Sequence, residues 1–87
     1  MAIGQQNTIT NGSGNSYAIG NYNTITNAAT TSITIGNNLH SVFINGTVLG
    51  KYNAYPNGST ADKLLILGNG TNDNNRSNCL EINTDGS

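Results

Sequence analysis

The sequence predicts an all-β chain wound into short, repeated coils. Three observations carry that prediction. The heptapeptide QQNTITN at 5–11 returns as NYNTITN at 21–27, sixteen residues on, with five consecutive residues identical. A series of apolar–glycine pairs, Ile3-Gly4, Ile19-Gly20, Ile35-Gly36 and Leu49-Gly50, is spaced 16, 16 and 14 residues apart. Asn (17), Thr (11), Gly (11) and Ser (7) together make 46 of the 87 residues, and these types are poor in helix interiors and favoured in turns. Repetition at a fixed short period is the signature of stacked architectures.

Each unit reads as two short strands separated by two tight corners. One strand ends in Ile-Gly, as in SYAIG and SITIG; the other is NTITN. Side chains alternate along a strand. Tyr17 and Ile19 therefore share a face, as do Ile33 and Ile35, while Ile9 and Ile25 point away from Thr8, Thr10, Thr24 and Thr26. Gly4, Gly20, Gly36 and Gly50 are read as corner glycines, with Asn7, Asn23 and Asn53 three residues beyond three of them, because Gly and Asn accept positive φ. In the third unit the second strand is expected at SVFIN, 41–45. Sixteen residues at about 3.3 Å each trace about 50 Å, the perimeter of one narrow coil. Stacked coils then place Ile3, Ile19, Ile35 and Leu49 in one inner apolar ladder and Ile9 and Ile25 in another. Tyr17, Ile33 and Phe43 fall outside that stack and require a partner surface. Coils of this kind occupy 1–53.

The pattern changes after the coils. Residues 54–62 hold the only proline, Pro56, and an Asn-Gly pair, and read as a loop. Residues 63–87 read as a strand pair: KLLILGNGT, a polar loop, then CLEINTDG. Leu65 and Leu67 share one face of the first strand and Leu64 and Ile66 the other, both expected to be buried. Leu80 and Ile82 share a face of the second, with Glu81 opposite.

Charge narrows the function classes. Only 8% of residues are charged and the net charge is −1, against about 25% charged in ordinary domains. Three basic residues, Lys51, Lys63 and Arg76, are too few for a nucleic-acid or anionic-membrane surface. No apolar run approaches the roughly 20 residues of a membrane span. Disorder is disfavoured, because nine Ile and two Val are regularly placed in a chain of low charge. So short a chain has little core of its own, and oligomerisation is the usual remedy. The repeat begins directly after Met1 without a leader, and the chain ends bare at Ser87, as a piece of a longer chain would. The single Cys79 excludes an internal disulfide framework and reads as a small buried apolar residue.

No catalytic or metal-binding constellation emerges, and no cofactor is expected. His40, the only histidine, would suit a β-helix acyltransferase, but that fold needs a continuing aliphatic hexad and positions 15 and 31 are Asn and Thr. His40 is instead expected at a corner or on the surface. Asp62, Asp73, Glu81 and Asp85 are scattered and match no calcium or zinc spacing. Arg76, in NNRSN, is expected to bond across subunits to Asp73, Asp85 or a carbonyl. Tyr22, Tyr52 and Tyr55 follow corners and are expected to pack beneath loops. Five Asn-x-Ser/Thr sequons, at Asn11, Asn45, Asn57, Asn69 and Asn75, follow from composition alone. The Thr-x-Thr pairs suggest an ice-binding solenoid as an alternative function, but the third coil offers Ser-Val-Phe-Ile, and threonine's strand propensity accounts for the pairs.

The segments NSYAIGNYN and TSITIGNNL resemble the head repeats of trimeric autotransporter adhesins, the YadA-like head. LLILGNGTNDNNRSNCLEINTDG is similar to a motif that follows such repeats in trimeric adhesins and in phage or viral tail-fibre proteins. Together the two cover about 75 of the 87 residues. Two units are longer here than the family's, and Cys79 stands where a small Ala is usual. The resemblance implies a left-handed parallel β-roll, an intertwined homotrimer, closed by a C-terminal two-strand cap that clamps its base. It implies a shared trimer core of Ile3, Ile19, Ile35, Leu49, Leu65, Leu67, Leu80 and Ile82, with the Thr-Ile-Thr strand facing outward. The function implied is non-enzymatic: a structural and adhesive module of an extracellular fibre, on a virion or a bacterial outer surface. Its partners would be two further copies of itself and a host or cell-surface receptor, glycans included. Thr8, Thr10, Thr24, Thr26 and Arg76 are the candidate receptor-facing residues.

Overall fold

The computed structural model describes residues 1–10, 13–26, 29–58 and 60–87; Asn11 and Asn27 of the repeated heptapeptide, and with them the Asn11 sequon, lie outside these. Among the described residues the chain is all-β, without a helix. The strands are β1 (Ala2–Gln5), β2 (Thr8–Ile9), β3 (Tyr17–Asn21), β4 (Thr24–Ile25), β5 (Ile33–Asn37), β6 (His40–Ser41), β7 (Thr47–Lys51), β8 (Lys63–Asn69) and β9 (Asn78–Asn83). They form a six-stranded sheet, ordered β1-β3-β5-β7-β8-β9, and a three-stranded sheet, β2-β4-β6. All pairings are parallel except β8 with β9. The chain is thus a β-solenoid in which each of the first three coils contributes one strand to each wall.

The sequence spacing sets the register. Gly4, Gly20, Gly36, Gly50 and Gly68 face one another in successive strands. Gly20 shows why nothing larger fits: its φ is +124°, and a Cβ there would lie 2.0 Å from the Gly36 carbonyl oxygen. These glycines sit inside the strands. The left-handed residues that turn the corner come two positions later, at Gln6, Tyr22, Asn38 and Tyr52. A second corner turns at Asn15, Thr31 and Asn45.

The interior differs from the expected one. The inner row of the large sheet is Ala18, Thr34, Val48 and Ile66, each at most 1% exposed. It packs against Ile25, Leu39, Val42 and Phe43 of the opposite wall. The Ile-Gly ladder therefore does not fill the coil. The row that faces inward is the one alternating with it, from Ala18 and Thr34 to Val48 and Ile66, which leaves the Ile and Leu of the Ile-Gly row on the outer face. Phe43, expected to seek a partner surface, is 1% exposed and closes the interior of the last coil. The third unit also enters its second strand earlier than expected: His40 pairs with Thr24 and Ser41 with Ile25, and Phe43 makes only an isolated bridge to Thr60. In β8 a register shift between Lys63 and Leu65 turns Leu64 outward, 49% exposed, so only Ile66 of that pair is buried. Cys79 is exposed rather than buried, because β9 lies beyond the last coil and has no second wall behind it.

Candidate functional site

Buried polar ladders hold the corners. Asn7 Nδ2 donates to the carbonyls of Ile3 and Gly20, and Asn7 Oδ1 accepts from the Asn23 backbone at 3.0 Å. Asn23 repeats the pattern with Ile19, Gly36 and Leu39. Each asparagine thus caps its own coil and binds the next, satisfying backbone groups that a tight corner leaves unpaired. At the other corner Ser16 Oγ donates to the Ala29 carbonyl and accepts from the Ser32 backbone. Ser16 and Ser32 recur at the 16-residue period, so this ladder does carry a signal in the sequence.

With the corners fixed, the outer face of the large sheet is fixed too. One row crosses all six strands in register: Ile3, Ile19, Ile35, Leu49, Leu67 and Leu80. Beside it runs a second row: Tyr17, Ile33, Thr47, Leu65 and Ile82. All eight residues expected in a shared core, Leu65 and Ile82 included, lie on this one face. Ile3, Ile35 and Leu80 are 50%, 44% and 43% exposed; Ile19, Leu49, Leu65 and Ile82 are half-buried by their neighbours. Neither row contains a charged side chain. An apolar stripe this long and flat is unusual on a monomer's surface.

The opposite, three-stranded wall carries the threonines. Thr8 and Thr24 stack in register, but the next residue in their row is His40, so the threonine array ends after two coils. Thr8 and Thr10 are exposed; Thr24 and Thr26 are half-buried. His40 stacks on Tyr55, ring centroids 3.9 Å apart and 10° from parallel. The Arg76 guanidinium lies 5.3 Å from the Tyr55 ring and 5.5 Å from that of Tyr52. Arg76 donates to the carbonyls of Asn38 (2.9 Å) and Asn53 (3.2 Å) and pairs with Asp73 at 2.7 Å. Its partners lie within its own chain, where a bond across subunits was expected. Arg76 thereby ties the polar loop of the hairpin to the corners of the coil. Burial first, and then the Arg76 charge, hold the His40 imidazole below its ordinary pKa.

A cleft of about 200 Å³ opens between residues 54–56 and the β8–β9 hairpin, with Phe43 and Ile66 at its floor. Its polar edge is already paired: Lys63 Nζ meets Glu81 at 2.9 Å, and Asn78 donates to Glu81 at 2.8 Å. The Asn78 hydrogen bond, followed by that of Lys63, holds the Glu81 carboxyl below its usual range. Among the described residues no three His, Cys, Asp or Glu gather as a metal site would require. Comparison with family models, curated proteins and solved structures gives no match.

Proposed function

We propose that this chain is a structural and adhesive module of a trimeric surface fibre, of a phage or virus or of a bacterial surface. The observation that supports it is the apolar row on the outer face of the large sheet, Ile3 to Leu80, in register across six strands and without a charged side chain. A second and third copy of the same chain are the natural occupants. Their faces carry the same apolar rungs at the same spacing, and a chain of 87 residues buries only a small core of its own. Three copies closed about one axis would cover the six-stranded sheet of each and leave the threonine wall and the Arg76 corner outward. The result is a stiff rod of low charge that holds a receptor-binding surface away from its particle or cell, with Thr8, Thr10, Thr24, Thr26 and Arg76 on the side available to a receptor.

Paired charge insertions test this arrangement. Ile35→Asp alters a side chain already 44% exposed in a single chain, so a lone solenoid tolerates it within about 0.5 kcal/mol. In an assembly closed through that face it separates the copies. Thr10→Asp, on the other wall, leaves the assembly whole. Light scattering on both variants reads the difference. An Ile35→Asp protein with the same mass as the parent rules out this face as the contact.

A further inference from the structure

The chain contains several Asn-Gly pairs, and the fold treats them differently. Deamidation at such a pair starts when the backbone nitrogen of the glycine attacks the side-chain carbonyl carbon of the asparagine. Glycine favours the step because no Cβ obstructs the approach. The step needs a glycine N–H free of other bonds and an asparagine side chain free to fold back. Asn45–Gly46 fails this requirement: Gly46 is buried, and its N–H donates to the Phe43 carbonyl at 3.0 Å. Asn69–Gly70 fails it as well, since the Gly70 N–H donates to the Lys51 carbonyl at 3.2 Å, and Asn69 Oδ1 accepts from the Ser77 hydroxyl. The related Asp85–Gly86 pair is held by a bond from the Gly86 N–H to the Asn83 carbonyl at 2.9 Å. Asn57–Gly58 meets both conditions. Both residues are exposed, a Cβ at Gly58 would meet nothing within 4 Å, and neither residue makes a hydrogen bond within the described part of the chain. Asn11–Gly12 lies outside the described residues.

We propose that Asn57 is a site of spontaneous, structure-selected deamidation. The Gly58 nitrogen bonds to Asn57 Cγ, the Cγ–Nδ2 bond breaks, and ammonia leaves, taking the amide proton. Water then opens the cyclic imide at either carbonyl to give aspartate or isoaspartate; nothing is oxidised or reduced. The product adds one negative charge, taking the net charge from −1 to −2. It does so in the loop that carries Tyr55 onto His40 and Pro56 along the rim of the cleft. Isoaspartate also lengthens the backbone of that loop by one methylene. Among the described Asn-Gly pairs, the fold thus leaves only Asn57–Gly58 open to this reaction.

The test is peptide mapping by mass spectrometry after incubating the folded chain in mildly alkaline buffer, beside a sample unfolded in urea. The protected pairs react only through local opening, so in the folded chain Asn57 is expected to convert about tenfold or more faster than Asn45 and Asn69. In urea the three convert at similar rates. Gly58→Ala slows conversion at Asn57 in both samples, because the added Cβ obstructs the attack. Asn45 or Asn69 keeping pace with Asn57 in the folded chain overturns the proposal. So does an Asn57 that stays intact when folded while the urea sample converts.

Discussion

Replacing Gly20 by Ala isolates the close approach between successive coils at the glycine column. A Cβ at Gly20 would stand 2.0 Å from the Gly36 carbonyl oxygen and 3.1 Å from Asn23 Nδ2. Restoring tolerable contact moves the two strands apart by about 1 Å, from 2.0 Å to at least 3.0 Å. That displacement strains the Asn23 Nδ2 bond to the same Gly36 oxygen, now 3.1 Å. A non-glycine residue held at such a φ costs about 1–3 kcal/mol, and losing one or two ladder bonds adds about 1 kcal/mol each. The expected loss is about 2–5 kcal/mol, a large share of the 5–15 kcal/mol typical of a folded domain. Gly58→Ala is the matched control. Gly58 also has positive φ, +82°, but open space around it, so the change costs only the left-handed backbone, about 1–2 kcal/mol. Urea unfolding followed by circular dichroism, at equal protein concentrations, measures both. If Gly20→Ala costs no more than Gly58→Ala, close approach at the glycine column does not set the stacking of the coils.

Other expectations follow from the interior and from the charged groups. Thr34 Oγ1 is buried without a hydrogen-bond partner among the described residues, so Thr34→Val should raise stability by about 1 kcal/mol; a loss of that size in urea melts would mean the hydroxyl is engaged. His40 is held below its ordinary pKa, so the unfolded chain takes up that proton first. Stability is therefore full above the ordinary histidine value of 6.5 and falls as pH drops below it. Glu81 is also held low and contributes stability that is present above its ordinary value of 4.5 and lost as pH falls through its folded value. His40→Phe keeps a ring against Tyr55 and should flatten the upper part of this dependence, read as urea midpoints across pH. An unchanged profile would assign that acid sensitivity elsewhere.

Repetition made the architecture legible. The glycine spacing of 16, 16 and 14 predicted which residues stack, and each of those pairs is in register. The strand pair of 63–87 and its alternation of Leu80 and Ile82 against Glu81 were equally readable, since period-2 patterning survives in a hairpin. Which face turns inward was not readable. The inner row Ala18-Thr34-Val48 looks less apolar than the outer row Ile19-Ile35-Leu49, and hydrophobicity alone picks the wrong one. The direction in which each coil closes decides, and closure is a property of the whole coil rather than of any strand. The corners were also obscure in part: Tyr22, Thr31 and Tyr52 adopt left-handed φ that composition assigns to Gly and Asn. Arg76 is expected from sequence to bond across subunits, whereas its carbonyl partners, Asn38 and Asn53 of the same chain, lie 38 and 23 residues away, a separation no local pattern encodes. The exposed apolar row from Ile3 to Leu80 is the observation on which the proposed function rests.

The most direct test of that face is the mass of the unmodified protein in solution, by native mass spectrometry checked with light scattering. Three copies of a 9.0 kDa chain give about 27 kDa, and that mass, persisting on dilution, is the expected result. A well-folded species of 9.0 kDa that leaves the Ile3–Leu80 face in water would contradict the account.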